Sequence, residues 1–253
     1  MQTLRPVHAN IGAIAKYRRQ LQDAIKEMSD SYLYWLTAAY NKNQPINLAA
    51  DLLPSADAQK KLDELKRKWR HKFELLALYL ALMHITRVAH ITDNALMSAL
   101  AAAGISATFK ETRAIKDILN ASVEENTSLI ESIQEQYHTR IEGIVMRGYS
   151  MGSSLDVIRK EMKKAQAITE RRAGTIAGDQ ISKINSMVQS ARLLEVGITH
   201  ATWFHSHKGV PRPDHLAADG RVYEIAEGCL ISGEYLQPGQ LINCRCVGRG
   251  ILN

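Results

Sequence analysis

The chain is poor in the residues that would place it in several special classes. Three cysteines and six prolines among 253 residues exclude a disulfide scaffold and a Pro-rich linker, and 15 glycines exclude a collagen-like repeat. Aromatic residues make up 6%, and no stretch interleaves Lys or Arg with Phe, Tyr or Trp as a base-stacking platform would, so sequence-reading of nucleic acid is not expected. Neither a Gly-x-Ser-x-Gly elbow nor a phosphate-cradling G-x-x-x-x-G-K-[ST] loop occurs, which removes the simplest signs of nucleophilic catalysis and nucleotide binding. The opening MQTLRPVHAN lacks the apolar core of a secretory signal, so a cytoplasmic protein is expected. The most apolar run, Phe73 to Met83, is interrupted by Glu74 and falls short of the roughly 20 residues a bilayer span needs, so no membrane partner is expected.

The chain is rich in helical periodicity. Ile14, Tyr17, Leu21, Ile25, Met28, Tyr32 and Trp35 recur at spacings of three and four, which predicts one helix from Ile11 to about Tyr40. The stretch NKNQPINLAADLLPSAD then reads as a connector, with Ser55 as the cap of the next helix. From Ala56 to about Ala103 strong helix formers dominate, as one long helix or two, with Gly104 as a stop. Thr108 to Tyr149, Leu155 to Ala165 and Thr169 to Leu194 complete the helical part, which Gly197 ends.

After Gly197 the texture changes to short β-prone runs between turn signals: Ala201 to His205, Arg221 to Ile225, Tyr235 with Leu236, and Cys244 to Gly248. The expected architecture is therefore α+β. A mainly helical body over 1–196 precedes a compact, loop-rich α+β module over 197–253.

The chemically capable residues gather in that module. His215, Cys229, Cys244 and Cys246 together would make a Cys3His zinc site able to staple a domain with a small core. The one-residue gap in Cys244-Arg245-Cys246 departs from the usual knuckle, and the opposing reading makes these cysteines small buried hydrophobes. His205, His207, His215 and Asp219 could instead hold a hydrated cation in a metal-dependent nuclease or hydrolase, against a solvated turn whose prolines order it. A net charge of +6 and the basic run Lys60 to Lys72 allow nonspecific DNA contact or an acidic protein partner, although Asp63 and Glu64 within that run also suit a solvated helix face. Cys244 to Cys246 are expected to open a terminal strand paired with the strand near Tyr223, with both thiols facing the core and Asn243 bonding turn backbone.

Trp203, then Pro211, Arg212, Pro213, Asp214 and His215, then Asp219-Gly220-Arg221-Val222-Tyr223, and finally Pro238-Gly239 with Ile242-Asn243-Cys244-Arg245-Cys246 form a pattern. It resembles the tailed-phage minor head proteins, the Mu F-like head morphogenesis family. Arg172-Ala173 with Thr175-Ile176-Ala177, Gly197, and the opening TLRPVHAN followed by YRRQL resemble the family as well. The resemblance implies a non-enzymatic head morphogenesis protein with no required cofactor. It would act with the portal and with capsid or scaffold proteins, with a role that could extend to DNA packaging or ejection, and would reside in the virion head and, during assembly, in the host cytoplasm. Some members carry further enzymatic domains; with seven residues after Cys246, none is expected here. His205-Ser206-His207 stands where relatives often have charged residues.

Overall fold

The computed structural model describes residues 2–42, 54–207 and 212–252. Most of the expected connector after the first helix and Lys208 to Pro211 of the histidine-rich turn lie outside the described residues. Four long helices, α1 (Ile11–Lys42), α2 (Pro54–Ala102), α3 (Arg113–Ser150) and α4 (Leu155–Glu195), precede most of the strands. Around and after them come β1 (Gln2–Thr3), β2 (His200–Phe204), the short α5 (Pro213–Ala217), β3 (Val222–Glu224), β4 (Cys229–Ile231), β5 (Glu234–Leu236) and β6 (Val247–Leu252). The architecture is α+β, as expected.

The periodic stripe of α1 is buried where it was expected: Tyr17, Leu21, Ile25, Met28 and Tyr32 are fully inaccessible. Its last member is displaced, since Trp35 is exposed and Leu36 takes the inward place. Residues 56–103 form one helix rather than two, and it starts at Pro54, a residue suited to a first helical turn, instead of being capped by Ser55. A single α4 likewise replaces the two helices expected over 155–194. No breaker separates them, and Thr169 bonds back to the Ala165 carbonyl (2.8 Å) within the helix in place of starting a new one. Gly104 and Gly197 do end their helices. Each sits at φ +81°, and the next amide reaches back five residues, Ile105 to Leu100 and Ile198 to Leu193, both at 2.9 Å.

The chain divides into two compact units. One comprises Arg18–Leu80 and Asn126–Gly174, and is helical throughout. Its core holds a polar chain in which Tyr137 donates to Ser29 (2.8 Å) and Ser29 to Gln166 (3.0 Å). Beside it the Tyr32 hydroxyl lies 3.0 Å from His138 Nδ1. Tyr137, Ser29 and Tyr32 thus have buried hydroxyls with partners, as buried polar groups require.

The other unit comprises Met1–Tyr17, Ala81–Glu125 and Thr175–Asn253. The boundary expected between residues 196 and 197 falls inside it. The reason is packing: Leu96, Ala99 and Leu100 of α2, Leu193 of α4, and Leu4 and Val7 share one core with Trp203, Tyr223, Ile225 and Cys229. The four-stranded antiparallel sheet has the order β1-β6-β2-β3, and β4 pairs β5 separately. Gln2 faces Leu252, so the two ends of the chain meet in one sheet. The terminal strand does not pair with the strand near Tyr223 as expected: β6 pairs β2 (Trp203 with Gly248), and β2 lies between it and β3. Polar ties hold the N-terminal segment: Asn185 and Gln189 both donate to the Val7 carbonyl (3.1 and 2.7 Å), and Thr92 donates to Asn185 (3.0 Å).

By length and composition α2 holds one 18-residue window apolar enough to cross a membrane, with mean hydropathy 1.4, and 44% of that window is buried inside the protein. A core helix meets the same test.

Candidate functional site

The sequence motif residues converge in the second unit. Trp203 on β2 is the anchor, 1% exposed, with its ring edge-on to both His215 (centroids 5.2 Å apart, 88°) and Tyr223 (6.4 Å, 67°). His215 rides on α5, a helix too short for its spacing to register in the sequence; Pro213 in its first turn and the Asp214 carboxylate accepting the His215 amide (2.9 Å) fix that turn. Arg212 donates to the Ile242 carbonyl (2.8 Å) and Ser232 to Asp214 (3.2 Å), so the first turn of α5 is tied to two loops.

Facing His215 is the segment 241–246. It is a turn followed by irregular backbone, not the start of a strand, because β6 begins only at Val247. Cys244 closes the turn onto the Leu241 carbonyl (2.9 Å), and Asn243, at φ 61°, donates its amide to Asp179 Oδ1 (2.7 Å). Asn243 thus reaches a helix side chain where turn backbone was expected. Burial pushes the Asp179 carboxyl up, with the Asn243 amide and the Arg212 charge opposing that rise. Arg245 is exposed, while Cys244 and Cys246 on either side of it are buried.

Both thiols point at one imidazole nitrogen. Cys244 Sγ lies 3.5 Å and Cys246 Sγ 3.7 Å from His215 Nδ1, and the Gly239 amide donates to Cys244 Sγ (3.3 Å). The interaction between the two thiols lowers the pKa of Cys244 and raises that of Cys246, with burial adding to the latter rise. The pair gives up its first proton readily and its second with difficulty.

His215, Cys244 and Cys246 are the one group of three or more ligand-capable side chains gathered among the described residues, their ligand atoms all within 4.8 Å of one another. Cys229, the fourth member of the expected set, is not among them. It is packed into the core on β4 opposite Leu236, where burial raises its thiol pKa. Its side chain behaves as a small hydrophobe.

The expected cation set of His205, His207, His215 and Asp219 is also divided. Asp219 spends one carboxylate oxygen on the His205 amide (2.9 Å) and the other on His207 Nε2 (2.9 Å), and the His207 amide donates to His205 Nδ1 (3.0 Å). Asp219 therefore orders its loop, while His215 belongs to the cysteine cluster. Gly220 and Arg221 continue the same device, Gly220 donating to the Trp203 carbonyl and Trp203 to that of Arg221, each at 2.8 Å.

Residues 139–249 match the family model described as Phage Mu protein F like protein, which bears out the resemblance carried by the motif. An uncharacterized protein of Haemophilus influenzae (strain ATCC 51907 / DSM 11121 / KW20 / Rd) is 34% identical over 149 residues, 59% of this chain. The chain spans 33% of that relative's length. No solved structure matches.

Proposed function

We propose, from the match of residues 139–249 to the Phage Mu protein F like family model, that the chain is a minor head protein acting in head morphogenesis. The family match is the observation that carries this reading. In it the protein docks on the portal and on capsid or scaffold proteins, enters the procapsid, and resides in the virion head after assembly in the host cytoplasm. It works by contacts, without catalysis.

A physical feature supports docking. Leu75, Leu78 and Tyr79 repeat at spacings of three and four along α2, yet they are 65%, 50% and 60% exposed. Such a stripe is the mark of a helix face that another protein covers. The dispersal of the nuclease candidates supports contact over chemistry, because both Asp219 oxygens already serve the loop.

Nonspecific DNA contact through the net charge of +6 is the weaker reading. Within the basic run, Lys61, Arg70 and Lys72 are paired with Glu64, Glu74 and Glu27. Co-expression with the cognate portal and shell proteins tests the proposal. The chain is expected in purified procapsids and on the portal, retained at high salt because apolar burial is not screened, and lost in Leu78→Asp with Tyr79→Asp. Absence from both particle and portal, or release by salt alone, overturns it.

A further inference from the structure

We infer that His215, Cys244 and Cys246 are a zinc site with three protein ligands, which clamps α5 to the 241–246 turn.

Zinc–sulfur bonds of about 2.3 Å and zinc–nitrogen bonds of about 2.0–2.1 Å at tetrahedral angles put nitrogen and sulfur about 3.6 Å apart across an edge of the coordination shell. The two observed edges from His215 Nδ1 are 3.5 and 3.7 Å. Hydrogen bonds from imidazole or thiol can span the same distances, so the assignment rests on the convergence of both sulfurs on one buried nitrogen.

The surroundings fit a metal–thiolate. All three residues are buried, with exposures of 3%, 6% and 4%. The Gly239 amide donates to Cys244 Sγ, the outer-shell contact that stabilises a coordinated thiolate. Trp203 stands edge-on against the imidazole and fixes its plane. Asn243 at φ 61° and its bond to Asp179 set the turn that directs both thiols inward across a one-residue gap. The short spacing is thus accommodated by backbone shape, where a wider knuckle would otherwise be needed. Cys229 lies outside the group, so the protein supplies three ligands. Binding displaces the thiol protons to solvent and changes no oxidation state.

The test uses the full chain, purified reduced and without chelator. Elemental analysis is expected to find about one zinc per chain, and cobalt(II) added to the metal-free protein to give thiolate charge-transfer and tetrahedral d–d bands. Cys229→Ser should keep both signals, whereas Cys246→Ser should lose the charge-transfer intensity and most of the zinc. Because Cys246→Ser could fail to fold, the wild-type cobalt spectrum decides by itself. Absence of those bands in folded wild-type protein overturns the proposal, as does a mass short of two hydrogens that shows a Cys244–Cys246 disulfide.

Discussion

Arg192 offers the sharpest test of how the strand-bearing unit is held. Its guanidinium, 4% exposed, binds Asp93 through two parallel bonds of 2.9 Å, reaches the Lys110 carbonyl (2.7 Å) and Glu195 (2.8 Å), and lies over the Phe109 ring (4.8 Å). Arg192→Met keeps the length and apolar stem but leaves the Asp93 carboxylate, 17% exposed, without its counter-charge. Breaking a buried pair on one side costs about 3–5 kcal/mol, and the residual access of Asp93 and Glu195 to water places this case at about 3 kcal/mol. For a chain of this size that lowers Tm by roughly 6–12 °C. Thermal and urea unfolding followed by circular dichroism measure it. If the two units melt separately, only the transition of the unit containing Arg192, Asp93 and Lys110 should move. Arg192→Met combined with Asp93→Leu should recover at least half the loss, since apolar replacement of both partners leaves no stranded charge. A single-variant cost below about 1 kcal/mol, or a double variant worse than the sum of the singles, refutes the reasoning.

His84, fully buried and stacked on Tyr17 (4.2 Å), is lowered from 6.5 to about 4, chiefly by burial and then by Lys16 and Arg87. The fold holds the neutral ring, so its contribution is complete above pH 6.5 and is lost as pH falls through that window toward 4, by up to about 3 kcal/mol; His84→Phe should flatten this part of a stability–pH curve. Gly250 is tightly surrounded: a Cβ would stand 3.0 Å from Leu193, 3.1 Å from Ile198 and 3.3 Å from Leu4, so these side chains would have to give by a few tenths of an ångström. Gly250→Val should therefore cost about 1–3 kcal/mol in denaturant titration, and an unchanged midpoint would show that the β6 packing is misread. Asn243→Val, which forces a β-branched residue to φ 61°, should destabilise by about 1–3 kcal/mol while Asn243→Gly stays within experimental error of wild type.

The buried helical stripes and the helix ends at Gly104 and Gly197 were determined by the sequence alone, because that information is local, whereas the continuity of α4 and the start of α2 were not. Tyr17, Leu21, Ile25, Met28 and Tyr32 share a face by spacing whatever they pack against, and a glycine after the last periodic residue ends a helix by its own conformational freedom. The cluster of motif residues after Gly197 was also visible, as composition. Tertiary structure decided the rest. Strands of two to six residues carry too few side chains for a period to register, so β1 and β4 went unseen, and β6 went to β2 instead of the strand near Tyr223. Pairing Gln2 with Leu252 depends on the whole intervening chain having folded, which no local pattern encodes. Choosing His215, Cys244 and Cys246 while leaving Cys229 to the core depended on where α5 and the Asn243 turn come to lie, and ligand geometry is a property of that placement rather than of residue type.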